Sequence, residues 1–373
     1  MATLNEDFAI YGYLQKDKTR DGFFENKFNI SKSKNTVHNC DYALKSFDRF
    51  VFSKFKKNST EVVIDDIKKM PQQRREQAIT DIMQDFLFWK TKRAMASTAK
   101  MYYRIVVDYF AFQNLKILPH DLRRAVRLPK DPRDQKHPIT LNEIKQLVDF
   151  SKPKRKALYT VLVSSGMRIG ETVGLRKRDF DLSKERVSIT IPARLTKLKI
   201  QRETYITKEA ENYLLPLFKR LGQDQLVFGS SEDIIRSVGN EELIFWKLRK
   251  QIGLEQKYEN SRRCKISLHS FRAFCETQAS NTNGVEYAHA LIGHSGYLDQ
   301  YYRITPEERL EKYLDLEPKL TIGDDFHKLL QIERLKREKS ELEKLNEKNN
   351  KLIEEYKKLE ARTRRLEKMS ANK

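Results

Sequence analysis

A chain of 373 residues exceeds one comfortable hydrophobic core, so at least two domains are expected. Its 73 Lys and Arg against 52 Asp and Glu leave a formal charge of +21, a surplus that calls for a polyanionic partner. No apolar run approaches the ~20 residues of a membrane span, the opening "MATLNEDFAIYG" lacks the basic-then-apolar order of a secretory signal, and three irregularly spaced cysteines (Cys40, Cys264 and Cys275) define no disulfide framework. An intracellular, cytoplasmic protein is expected. Residues 326–373 hold 15 Lys and Arg and 9 Asp and Glu, a net +6 of the total +21, so the basic bias belongs to the body rather than to the tail. Nucleic acid is the expected partner, ahead of an anionic membrane surface.

Residues 1–30 are polar with weak periodicity and read as an amino-terminal arm. From residue 33, Val37, Tyr42, Leu44, Phe47, Phe50 and Val51 recur at helical spacing behind Asn35 and Thr36 as caps. The stretches "REQAITDIMQDFLFWKTKR" and "STAKMYYRIVVDYFAFQNL" repeat that style, the second opening at Ser97 or Thr98, and together they predict a small all-helical domain over 31–118. Residues 119–138, with Pro119, Pro129, Pro132 and Pro138 among many charges, read as an interdomain linker.

A second domain is expected over 139–318. It opens on a capping box, Thr140 with Glu143 three residues on. "RKALYTVLVSSGM" reads as a buried helix. "RVSITIPARLTK" and "RETYITKE" alternate in twos, as paired strands around a basic turn, and "AENYLLPLFKRL", "EELIFWKLRKQIG" and "HSFRAFCETQAS" return to helix. The fold class is mainly α, with an α+β second domain built around a small antiparallel sheet. Over 326–370, Leu345, Leu352, Leu359 and Leu366 recur every seven residues, with Leu335, Leu342, Asn349, Tyr356 and Thr363 at the other apolar position of the heptad. That pattern predicts a coiled coil, and the lone Asn in the seam favours a parallel dimer.

Four islands in 139–318 carry polar groups that packing alone does not require: "SSGMRIGE" with Arg168 and Glu171, "TKLKIQRETYI" with Lys197 and Lys199, "ISLHSFRAFC" with His269 and Arg272 three apart, and "LIGHSGYLDQYYRIT" with His294, Tyr301 and Tyr302. Singly, each reads as a structural ion pair, a solvated turn, a satisfied core histidine or ordinary packing. A zinc site from Cys264, His269, Cys275, His289 and His294 matches no common ligand spacing.

In that order the four islands resemble the catalytic boxes of the tyrosine recombinases of the phage integrase family. The resemblance spans about 33–318, and "HSGYLDQYYRITPEERLEKYLDLEPKLTI" looks most like archaeal members. It implies a helical core-binding domain, a linker and a catalytic domain that clamp duplex DNA, four protomers acting on two sites, and no metal or other cofactor. By the family's pattern, Arg168 and Arg272 clamp the non-bridging oxygens of the scissile phosphate. Lys197, with Lys199 as its alternative, protonates the departing 5′ oxygen; His269 assists proton transfer; His294 donates a hydrogen bond to the phosphate; Glu171 orients Arg168. The nucleophile is Tyr301, with Tyr302 as the alternative: Tyr302 fits the family's spacing better, and Tyr301 the residue that follows. The product is a 3′-phosphotyrosyl ester that keeps the energy of the broken bond for religation. Two rival readings stand beside recombination: a topoisomerase of type IB, and a DNA-binding protein without catalysis that the coiled coil oligomerises. Association with the nucleoid and integration, excision or replicon resolution are the expected setting.

Overall fold

A computed structural model describes residues 18–371 apart from 116–118, 131, 133, 262 and 295–303. The chain divides into two compact units, Met1–Asp134 and Gln135–Lys373.

The amino-terminal unit is helical: α1 (Arg20–Ser31), α2 (Lys34–Phe55), α3 (Thr60–Lys69), α4 (Gln72–Thr91), α5 (Ala96–Phe112) and α6 (Pro119–Ala125). Helix α2 starts earlier than its sequence suggests, because the Ser33 hydroxyl accepts from the Thr36 N–H and serves as the cap. Its buried stripe is Cys40, Ala43, Leu44, Phe47, Phe50 and Val51, while Tyr42 faces solvent. Phe47 meets Phe86 of α4 and Phe110 of α5 edge-on, at centroid distances of 4.9 and 5.7 Å. Helix α5 begins at Ala96 behind Met95, with no side-chain cap.

Two segments differ from their sequence reading. Within the stretch read as an arm, α1 buries Phe23 against Tyr109 and holds Arg20 between Asp48 and Glu61 at 2.6–2.8 Å. Within the stretch read as linker, α6 buries Leu122, and Val126 after it, in the same core. Both segments owe their order to partners far away in sequence, which periodicity does not register.

The second unit comprises α7 (Leu141–Asp149), α8 (Pro153–Ser165), α9 (Ile169–Val173), β1 (Phe180–Asp181), β2 (Ser188–Ile191), β3 (Arg202–Tyr205), α10 (Lys208–Phe218), α11 (Ile234–Gln251), α12 (Leu268–Asn283), α13 (Val285–Ile292), α14 (Pro306–Leu320) and α15 (Asp324–Ala371). The capping box at Thr140 is formed: its hydroxyl accepts from the Glu143 N–H, and Glu143 Oε2 accepts from the Thr140 N–H at 2.8 Å. Helix α8 is the axis of this unit, buried from Ala157 to Ser165, with α10, α12 and α14 packed around it. The sheet runs β1-β2-β3, all antiparallel, with Ile189 opposite both Phe180 and Thr204. The two-residue β1 is too short to leave a trace in the sequence pattern.

The long α15 is rooted on the body. Glu209 accepts from the N–H groups of Ile322 and Gly323 at 2.6 and 3.1 Å, Leu330 is buried, and Arg186 joins Glu317 to Glu333 at 2.7 Å each. Beyond that base Leu335, Leu342, Leu345, Leu352, Tyr356 and Leu359 are exposed. The side chain of Leu366 lies outside the described residues.

Candidate active site

The site starts where α8 stops. Gly166 takes φ +62°, and its N–H returns to the Leu162 carbonyl. A Cβ there would lie 2.7 Å from Ile292 Cγ2 and 3.1 Å from the Cys275 sulfur, so both the conformation and the close approach demand glycine. The turn delivers Arg168 to the N-cap of α9. Its backbone N–H donates to Glu171 Oε2 at 2.9 Å and its Nη1 to Glu171 Oε1 at 3.0 Å, so Glu171 cannot drift from the arginine it serves.

Helix α12 supplies the second cation. Ser267 and Ser270 cap one another at its start, which places His269 and Arg272 three apart in the first turns. Leu268, Phe271, Phe274 and Cys275 anchor the helix in the core, and Phe271 packs on Tyr159 of α8. Arg272 is 1% exposed. Its Nη1 donates to the Gly166 carbonyl at 2.7 Å, while Nε and Nη2 are buried with no hydrogen-bond partner among the described residues. Burial first, and then the neighbouring Arg168 guanidinium, push its pKa down to about 10. A cation so desolvated, with two donor nitrogens unspent, is built to receive an anion.

His294 follows α13 across Gly293, and its Nδ1 lies 3.2 Å from Glu276 Oε1 on α12. The pKa of His294 is lowered, by burial first and by Arg272 and Arg168, with Glu276 opposing. His269, exposed at residue level, is also lowered: its partial burial comes first, then Arg272 and Arg168. Both rings are held toward the neutral form beside a cationic pair.

The structure thus gathers Arg168, Glu171, His269, Arg272 and His294 around the end of α8. Lys197 and Lys199 stand exposed on the connection between β2 and β3, with Lys199 at φ +58° and its Nζ donating to the Arg194 carbonyl at 3.3 Å. Tyr301 and Tyr302 lie outside the described residues. Of the zinc set weighed from sequence, Cys275 is fully buried in the core beside the Ser164 carbonyl. Donor atoms of Glu276, His289 and His294 do lie within 4.8 Å of one another and could share one ion, but the positive charges of Arg272 and Arg168, which already disfavour protonation of His294, oppose a cation there.

Sequence reasoning missed two groups. Arg202, the first residue of β3, donates from Nη2 to Glu171 Oε2 at 2.7 Å and from Nη1 to Oε1 at 3.1 Å. Glu171, only 2% exposed, therefore serves two guanidiniums; burial would raise its pKa, yet the pairing with Arg202 and Arg168 holds it below the usual carboxylate range. The second missed group is Glu276, one helical turn after Arg272, against His294. The i, i+4 spacing on α12 was its only signal.

Residues 138–304 match the family model described as the phage integrase family. A curated relative, tyrosine recombinase XerC of Roseiflexus sp. (strain RS-1), is 29% identical over an alignment of 124 residues that covers 31% of this chain and 40% of the relative. The matched segment therefore spans less than half the length of that relative. Among solved structures, a lambda integrase dimer bound to a COC' core site aligns with TM-score 0.53 at 17% identity, over 76% of each chain. A second lambda integrase dimer on that site, covering residues 75–356 of its protein, also gives 0.53, at 15% identity over 77% of this chain and 97% of the other. At such identities the likeness is one of fold.

Proposed function

We propose, from the premise that residues 138–304 belong to the phage integrase family, that this protein is a site-specific recombinase. It cleaves and rejoins duplex DNA through a 3′-phosphotyrosyl intermediate. The observation that carries the reading is Arg272: a buried guanidinium with two unspent donors, beside Arg168, at the end of a core helix.

Attack of a tyrosine oxygen on the phosphorus forms the phosphotyrosyl bond and breaks the bond to the 5′ oxygen. Charge concentrates on the two non-bridging oxygens as this happens, and Arg168 and Arg272 meet it with preorganised donors. Lys197, or Lys199, gives the proton to the departing 5′ oxygen, and its place on an exposed turn suits a group that must reach the DNA. His269, kept neutral, takes the phenol proton, and His294, which the phosphate and Glu276 together return to the protonated form when DNA is bound, donates a hydrogen bond to the phosphate. Tyr301 is the nucleophile. Reversal by a 5′ hydroxyl from another duplex restores the DNA, so the exchange needs no ATP.

The helical segment 31–118 serves as the core-binding domain, 139–318 as the catalytic domain, and the surplus of positive charge binds the phosphate backbone. No helix among the described residues is long and apolar enough to cross a membrane; work on chromosomal DNA, in association with the nucleoid, is the proposed setting. The leucine face of α15 pairs with a second copy of this chain in a parallel coiled coil, and two such dimers form a tetramer on paired sites.

The test is incubation with a nicked duplex whose cleavage releases a short oligonucleotide, followed by denaturing electrophoresis. Covalent protein–DNA adducts and joined products from two labelled duplexes are expected. Adducts without joined products, together with relaxation of a supercoiled plasmid in a parallel reaction, would indicate a type IB topoisomerase. Binding without any adduct would indicate a DNA-binding protein lacking catalysis.

A further inference from the structure

We propose that Arg202 is a positioning residue: by occupying the Glu171 carboxylate it leaves Arg168 free to grip the phosphate, and by filling the space beside Gly293 it fixes His294. This rests on the recombinase reading above and assigns the cation that reading left without a role.

Glu171 is a buried anion and must be neutralised wherever it finds donors. Two of its four contacts come from Arg202, in a bidentate fork across both oxygens, and one from the Arg168 backbone. Only one, at 3.0 Å, comes from the Arg168 guanidinium, whose remaining N–H groups are not committed to the carboxylate. Without Arg202 the only guanidinium hydrogen-bonded to Glu171 would be Arg168, and a bidentate pair between them would turn the clamp away from the DNA.

The same side chain explains the glycine before His294. Gly293 has φ +68°, and a Cβ on it would lie 2.7 Å from Arg202 Cδ, 2.9 Å from Nε and 3.1 Å from Cζ. The stem of Arg202 therefore lies flat on the Gly293 backbone. Arg202 is itself shielded, its side chain 11% exposed, so it acts through Glu171 and Gly293 rather than by touching DNA.

The experiment is single-turnover cleavage of the nicked duplex by full-length protein carrying Arg202→Ala, Arg202→Lys, Glu171→Gln or the doubles with Glu171→Gln. Duplex affinity is measured in parallel. We expect Arg202→Ala to cut about 100-fold more slowly, as misplaced catalytic groups do, with affinity changed less than about threefold. Arg202→Lys should fall between Arg202→Ala and the parent. The decisive arm is rescue: removing the carboxylate charge frees Arg168, so Arg202→Ala/Glu171→Gln should cut at least about tenfold faster than Arg202→Ala. A purely structural Arg202 gives a rescue only in step with recovery of the melting temperature, which is measured alongside, whereas the positioning role predicts rescue between variants of equal melting temperature. If Arg202→Ala does not fold, Arg202→Lys and its double with Glu171→Gln make the same comparison. A double no faster than its single, or a single as fast as the parent, overturns the role of Arg202 while leaving the recombinase reading intact. A parent that forms no adduct overturns that reading instead.

Discussion

Replacing Arg272 with methionine should stabilise the catalytic unit and abolish its chemistry. The guanidinium is buried, and burial first, then the Arg168 guanidinium, push its pKa from the ordinary arginine range down to about 10. At about 1.36 kcal/mol per unit, keeping that charge in the folded state at neutral pH costs about 3 kcal/mol. Methionine of similar volume removes the cost, but strands the Gly166 carbonyl that Nη1 now satisfies, a loss of about 1–3 kcal/mol. The net expectation is a gain of about 1 kcal/mol, or about 2–4 °C in melting temperature for a unit of this size. Cleavage moves the other way. Two charge-assisted hydrogen bonds from Nε and Nη2 to the phosphate, at about 1.5–3 kcal/mol each, amount to a factor of at least about 100 in rate. The assay pairs a thermal melt of the DNA-free protein with single-turnover cleavage of the nicked duplex. Inorganic sulfate should raise the melting temperature of the parent more than that of Arg272→Met, the general stabilisation by an excluded anion being common to both. A variant that melts about 4 °C lower, or still cleaves within tenfold of the parent, would refute the claim that Arg272 is a strained cation held for an anion.

The cleavage rate should depend on pH in a defined sense. Burial and the two arginines disfavour the charged form of His269, so the ring stays neutral, and able to accept the phenol proton, to lower pH than a free imidazole. The acid limb of the rate profile should therefore have its midpoint below pH 6.5; a midpoint above 7 would remove His269 from the base role. Glu317→Ala should lower the melting temperature by at least about 6 °C, since breaking a buried ion pair costs about 3–5 kcal/mol and Arg186 and Glu317 are 3% and 1% exposed. Glu333→Ala, at a partner whose side chain is 42% exposed, should cost far less. An equal loss in both variants would refute the ranking, because it would mean that the more exposed contact with α15 carries as much stability as the buried Arg186–Glu317 pair. Truncation after Glu341, which spares the docked base of α15, should abolish dimers in sedimentation and weaken recombination while sparing single-site cleavage. Unchanged sedimentation would refute the coiled-coil pairing.

What the sequence made legible was local. Arg168 with Glu171 and His269 with Arg272 sit three apart, and helical geometry alone puts each pair on one turn. Leucines seven apart and the Thr140–Glu143 box are likewise short-range signals. Arg202 escaped because its partners lie 31 residues back on α9 and beyond α13, and nothing about an arginine opening a strand distinguishes it from a solvated one. Glu276 looked like one more charge on a helix until α13 brought His294 against it. In the amino-terminal unit, α1 and α6 bury few residues each, so their periodicity was weak, and Phe23 and Leu122 find their contacts only when the helices pack. The long helices and the β2–β3 pair follow from pattern, while α1, α6 and β1 do not. The completion of the site follows from tertiary contact.

Mapping the covalent nucleopeptide decides the reading. Full-length protein is trapped on a nicked duplex, digested, and the DNA-bearing peptide is identified by mass spectrometry. A phosphate ester joining Tyr301 to the 3′ end of the broken strand is expected, absent from Tyr301→Phe, retained in Tyr302→Phe, and lost when Arg168 or Arg272 becomes alanine. An ester on Tyr302 would move the nucleophile by one residue. No ester, attachment through a 5′ phosphate, or an ester formed as fast without Arg168 and Arg272 would contradict the clamp of two guanidiniums on which the mechanism stands.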